Sequence, residues 1–118
     1  MSFEFYDFFH VLGLMSLFSA FGAAILRGVL KSDGGDLKKY IAIAHGVGLL
    51  LLFISGFGML ARLGVGFPVW VIIKMVIWVI AALSLVRMRK YPGSGPLNWA
   101  IVLVLGGLAA WLAIFKPF

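Results

Sequence analysis

The stretch FPVWVIIKMVIWVIAALSLVRMRK, residues 67–90, decides the fold. Its first twenty residues, 67–86, contain one charged side chain, that of Lys74. An α-helix needs about 20 apolar residues to cross a hydrocarbon layer about 30 Å thick. Pro68 stands near the start, where a first helical turn tolerates proline, and basic residues follow Val86, as is typical of the last turn of a helix. We therefore predict a membrane-spanning helix with one lysine inside it.

The composition of the whole chain indicates that this segment is one of several. Of the 118 residues, 64% are hydrophobic and only 12% are charged, and the mean hydropathy is +1.14. These values lie far from those of soluble domains. Apolar segments cover residues 5–29, 40–61, 67–86 and 97–115 approximately. Because the second and third are joined by a very short turn, they should be antiparallel neighbours. We predict a single all-α domain over residues 1–118, an integral membrane four-helix bundle with up-down-up-down topology.

The basic residues indicate how the chain lies in the membrane. In a soluble protein the net charge of +6 would suggest nucleic acid, but here Lys and Arg flank apolar segments, where they set topology and meet lipid headgroups. One side carries Arg27, Lys31, Lys38, Lys39, Arg87, Arg89 and Lys90, and the other carries Arg62 and Lys116. The positive-inside rule then places both termini outside, in the periplasm if the membrane is a bacterial inner membrane.

Two further features limit the function classes. The chain has no cysteine, which excludes disulfides, thiol nucleophiles and iron–sulfur clusters. The N-terminal stretch MSFEFYDFF, residues 1–9, includes Glu4 and Asp7 but no Lys or Arg. This is the wrong pattern for a cleaved signal peptide, so we expect the first segment to remain in the mature protein.

Polar residues inside the spans are the candidate functional residues. Counting from span centres puts Asp7, His10, Met59 and Lys74 in the outer half of the membrane, with Arg62 above them. His45, near Arg27 in depth, should lie about 20 Å from His10 along the membrane normal, too far for the two histidines to share one haem iron or metal. A lysine inside a span costs at least about 2.5 kcal/mol. Lys74 should therefore pair with Asp7, extend along Trp70 to the interface, or act in the function.

The second span carries small and polar residues on one helical face. Its members follow helical spacing and are His45, Gly48, Leu52, Ser55, Met59 and Arg62. We predict that this face looks into the bundle and that the flank of residues 49–53 meets lipid. Ser16 and Ala20 in the first span and Gly106 in the fourth would allow close helix contacts.

A resemblance to known families rests on three motifs. FFHVLGLMSLFSAFGAAILR in the first span, His45 with the following SGFGML in the second, and Phe67-Pro68 with a Trp and Lys74 in the third are similar to the SirB-like and CopD-like small bacterial inner-membrane proteins, and distantly to HemJ-type protoporphyrinogen oxidases. The SirB-like resemblance implies a four-span bundle. The HemJ-type resemblance implies b-type haem on an intramembrane histidine, for which His10 and Lys74 match. The short linkers and a fourth span without His or acidic residues depart from that type.

Three functional hypotheses follow from these residues. The favoured one is a non-enzymatic subunit or assembly partner of a larger inner-membrane complex, whose partners are the lipid bilayer and other subunits or further copies of the chain. The first alternative is a b-type haem protein with His10 as axial ligand and Met59, Lys74 or a second copy's His10 opposite. The second alternative is a proton or solute carrier that uses His10, Lys74 and His45 as titrating groups. Neither a metal site nor nucleic-acid binding is predicted.

Overall fold

Four long α-helices make up the described part of the chain. The computed structural model describes residues 2–30, 36–91, 93 and 95–115. The helices are α1 (Phe3–Val29), α2 (Asp36–Leu63), α3 (Val69–Lys90) and α4 (Gly95–Phe115), and no strand occurs among these residues. All four are long and apolar enough to cross a membrane. The predicted all-α four-helix bundle is confirmed, with each helix reaching beyond its predicted span at one or both ends. Lys31 and Lys116, used in the charge count, lie outside the described residues.

Local sequence explains where α1 and α3 begin. The Ser2 hydroxyl accepts a hydrogen bond from the Phe5 backbone N–H at 3.2 Å, which satisfies one of the open donors of the first turn of α1. Pro68 is the N-cap residue of α3, with φ −67°. Between α2 and α3, Gly64 and Gly66 have φ values of 67° and 71°. Only glycine adopts this left-handed conformation without steric cost, so the two glycines allow the short connection.

The closest helix pair is α1 with α2, and α1 contacts each of the other helices. A Cβ atom on Gly48 would lie 2.7 Å from the backbone nitrogen of Leu17 and 2.9 Å from the carbonyl oxygen of Gly13. The two backbones therefore approach as closely as glycine permits. Dispersion between closely packed helices is a main source of bundle stability in lipid, where the hydrophobic drive is absent.

The fourth helix also packs on α1 through glycines. A Cβ on Gly106 would lie 2.7 Å from the Phe18 ring, and one on Gly95 would meet the Val29 side chain. The main core cluster contains Leu17, Ala20, Phe21, Ala24, Ile25, Ile41, Ala81, Leu85, Met88 and Val102. A smaller cluster of Trp70, Ile77 and Leu112 joins α3 to α4.

The predicted inner face of α2 is confirmed in part by burial, with Leu52 and Met59 half-buried. His45, Gly48 and Ser55 are buried, and Arg62 lies exposed at the end of the helix. The predicted lipid-facing flank 49–53 is partly wrong. Leu49 packs against the main core, and Leu51 lies against Gly13, although the remaining flank includes exposed positions. The physical reason is that α2 contacts both α1 and α3, so its buried face is wider than the small-residue stripe.

Candidate functional site

His10 lies at the α1–α2 interface and bonds to α2. Its Nδ1 atom is 2.9 Å from the Ser55 hydroxyl oxygen. The Ser55 hydroxyl donates its own proton to the Leu51 carbonyl. The serine oxygen must then accept from His10, so the imidazole carries its proton on Nδ1. In this tautomer Nε2 holds the free lone pair.

The helices remain in contact on both sides of His10. A Cβ on Gly56 would lie 3.7 Å from the His10 ring, and one on Gly58 would overlap the ring of Tyr6. On the other side of His10 along α1, Gly13 meets Gly48 and Leu51 on α2. The His10 ring is therefore held between the two helices by glycine contacts.

Asp7 and Lys74 also approach His10, as the depth count predicts. Both lie close enough to the imidazole to act on it electrostatically. Lys74 is half-buried on α3, and Asp7 lies on the exposed side of α1, one turn before His10. We call His10, Ser55, Asp7 and Lys74 the His10 cluster. It brings residues of α1, α2 and α3 to one level of the bundle. The direct pair between Asp7 and Lys74 remains a prediction.

Met59 follows Ser55 by one turn of α2 and is half-buried. For His10 and Met59 to ligate one haem iron from opposite sides, the porphyrin would have to enter between α1 and α2. The contacts at Tyr6–Gly58 and Gly13–Gly48 leave no such gap. This ligand pair does not fit the packed bundle, whereas His10 with Lys74, or with a second copy's His10, stays a prediction.

His45 occupies a different level and has its own partners. Its Nε2 lies 3.2 Å from the Ala81 carbonyl oxygen on α3, and the Phe21 ring packs edge-on with its centroid 5.3 Å away. His10 is level with Ser55, ten residues after His45 on the same helix, which corresponds to about 15 Å. This separation is shorter than the 20 Å estimated from span centres, but it still prevents the two histidines from sharing a ligand.

Two predicted polar residues lie at the ends of the bundle. Arg27 lines a crevice with Lys38 and Arg89, at the end where α1 and α3 finish and α2 begins. We call this the basic end. Arg62 is exposed in the last turn of α2, at the opposite end.

Three interhelical or capping hydrogen bonds were not predicted from the sequence. The Trp78 indole N–H donates to the Leu49 carbonyl at 3.0 Å, and the Ser16 hydroxyl donates to the Ala44 carbonyl at 2.8 Å. Asn98 is buried and donates to the Tyr91 carbonyl at 3.2 Å. The sequence signal for Asn98 is an amide inside an apolar segment, but the first two bonds depend on how each helix is rotated.

Among the described residues, no group of three or more His, Asp or Glu side chains could hold a metal ion. Comparison of the chain with protein-family models, curated proteins and solved structures gives no match. The resemblance to the SirB-like, CopD-like and HemJ-type proteins therefore remains a prediction from the quoted motifs.

Proposed function

We propose that this chain is a non-enzymatic accessory subunit or assembly partner of a larger membrane complex. The observation that supports this most directly is the bond between His10 Nδ1 and Ser55. Through Nδ1 the best candidate ligand of the sequence joins two helices, while its Nε2 keeps a free lone pair. His45 and Trp78 join α2 to α3 in the same manner. Interhelical bonds of this kind contribute about 0.6 kcal/mol each on average and orient the helices.

The outer surface of the bundle supports a partner made of helices. Gly22, Gly46 and Gly107 are exposed on α1, α2 and α4, and nothing lies within 4 Å of where a Cβ would stand. Glycine inside a helix costs up to about 1 kcal/mol relative to alanine. None of the three is needed for packing inside the bundle. Small residues on an outer face let a further helix approach closely.

Filling these outer positions should release the partner without unfolding the bundle. We expect Gly22→Leu, Gly46→Leu or Gly107→Leu to leave the melting temperature in mild detergent near that of the parent. At least one of them should shift the native mass of the tagged protein, extracted from its own membrane, from a stoichiometric complex toward the free chain. Val104→Leu, a conservative change that adds one methylene at an exposed α4 position, serves as the control and should leave the complex intact.

An absorbance measurement on the same samples separates this proposal from the haem alternative. For an accessory subunit we expect no sharp α-band in the reduced-minus-oxidised spectrum, under expression conditions that load a control haem protein. A band present in the parent and lost in His10→Ala would contradict the proposal and support a b-type haem protein. A free 12.9 kDa chain in every native extract would also contradict it.

For location we propose a bacterial inner membrane with both termini in the periplasm. The support is the unequal distribution of Lys and Arg between the two ends of the bundle. Since the chain has no cysteine, single cysteines can report this directly. In intact cells we expect a small membrane-impermeant maleimide to label Glu4→Cys and to spare Lys39→Cys, which should react only after permeabilisation. The reverse pattern would establish the opposite orientation.

A further inference from the structure

The basic end of the bundle contains a crevice where three helices meet. Its lining consists of Ala24, Arg27, Lys38, Ile41, Leu85, Met88 and Arg89. The three cations come one each from α1, α2 and α3. The apolar lining residues are buried members of the main core, so they form a packed floor beneath a charged rim. We call this site the basic crevice.

The positive-inside rule does not by itself account for the convergence of these cations. That rule concerns how many Lys and Arg residues a connection carries, and it is satisfied wherever the side chains point. Bringing like charges to one crevice is unfavourable, because each pair repels through a medium of reduced dielectric constant. An anion bound between Arg27, Lys38 and Arg89 would offset this repulsion.

The acidic residues of the chain are too few to supply that charge. Among the described residues this end carries six Lys and Arg residues, and the carboxylates in the same part of the sequence are Asp33 and Asp36. Even if both carboxylates pair with cations here, an excess of four positive charges remains among the described residues. This excess of positive charge must be balanced by anions from outside the chain.

The level of the crevice points to the chemical class of the anion. Helix α1 has 27 residues and is therefore about 40 Å long, close to the thickness of a bilayer including its headgroups. Arg27 in its last turn then lies in the headgroup layer, where lipid phosphates are found. The cavity measures about 10 Å³, enough for one oxygen-sized group above the packed floor.

We propose that the basic crevice binds the phosphate group of an anionic phospholipid. One phosphate oxygen enters the crevice, and the cationic side chains of Arg27, Lys38 and Arg89 surround the remaining oxygens. Basic pockets between transmembrane helices bind lipid headgroups in this manner. The site is independent of the proposed accessory function, since it needs only membrane insertion and the packing of α1, α2 and α3.

The test compares two pairs of charge-removing substitutions at the same end. Lys38→Gln with Arg89→Gln removes two charges that line the crevice. Lys39→Gln with Lys90→Gln removes the charges of two exposed neighbouring residues that do not line it. Each purified protein, in neutral detergent, is titrated with phosphatidylglycerol, with phosphatidylcholine and with inorganic phosphate. The melting temperature at each concentration then yields an apparent Kd.

We expect phosphatidylglycerol to raise the melting temperature of the parent in a saturable way. Lys38→Gln with Arg89→Gln should weaken the apparent Kd for phosphatidylglycerol about tenfold or more. Lys39→Gln with Lys90→Gln should weaken it less than about threefold. Both pairs lower the positive charge of this end equally, but only the first removes charges that line the site. Competition by millimolar inorganic phosphate would show that the phosphate group alone suffices, and no competition would show that the lipid is required. Equal weakening by both pairs, or equal stabilisation of the parent by phosphatidylcholine, would overturn the proposal.

Discussion

Gly48→Leu should disrupt the contact between α1 and α2. We expect it to lower the free energy of unfolding more than any other single substitution considered. The first side-chain atom would stand 2.7 Å from the Leu17 backbone nitrogen and 2.9 Å from the Gly13 carbonyl oxygen. Both neighbours belong to the backbone of α1, so neither can move aside by rotating a side chain. Overpacking of this kind costs about 3 kcal/mol, which corresponds to a fall in Tm of about 10 °C or more.

The matched control is Gly46→Leu on the same helix. Nothing lies within 4 Å of a Cβ at Gly46, so the same chemical change meets open space. We expect its melting temperature in detergent to stay within a few degrees of that of the parent. The two variants have the same composition and hydropathy, and only their direction relative to α1 differs. Equal melting temperatures would contradict the α1–α2 contact described above.

Lys74→Met should have the second-largest effect. Lys74 and Asp7 both act electrostatically on His10, and charges within a membrane are stabilised chiefly by pairing with one another. If the two side chains pair, removing the lysine would leave the Asp7 carboxylate without its partner in a medium of low dielectric constant. We expect the free energy of unfolding to fall by about 2 to 3 kcal/mol, somewhat less than for a fully buried pair because Asp7 lies at the surface of the bundle.

A double-mutant cycle with Asp7→Asn distinguishes pairing from simple loss of packing. If the two residues pair, Lys74→Met with Asp7→Asn should recover most of the stability lost in Lys74→Met alone. Lys90→Met is the control for removal of a positive charge, because Lys90 is exposed at the end of α3; it should change the melting temperature little. A double variant no more stable than Lys74→Met would exclude the pair, as would a single variant equal to the parent.

Much of the His10 cluster is predictable because depth in a membrane follows from counting residues. Each helix must cross the same apolar layer, so a residue's distance from the end of its span sets its level. This reasoning places Asp7, His10 and Lys74 at one level, and in the structure Asp7 and Lys74 both lie close enough to His10 to act on it electrostatically. The same counting overestimates the His10–His45 separation, because α1 and α2 begin earlier than the predicted spans, at Phe3 and Asp36, so both histidines lie nearer the centres of their helices.

Counting does not show which atoms meet at a given level. The bond from His10 to Ser55 requires both side chains to face the α1–α2 interface, and that rotation is set by the glycine contacts of Gly13 and Gly48. The same holds for the Trp78 indole, whose partner is a backbone carbonyl of α2. Any residue can supply such a carbonyl, so the sequence contains no signal for it.

The sequence by itself therefore determined the number of helices, their approximate bounds, and the levels of their charged and polar residues. These properties depend on hydrophobic length and charge, which are local. Only the tertiary structure decided that His10 joins two helices, that no gap for a haem opens between His10 and Met59, and that Arg27, Lys38 and Arg89 converge on one crevice. Those features depend on helix rotation and contact distance, which arise from packing between segments far apart in the chain.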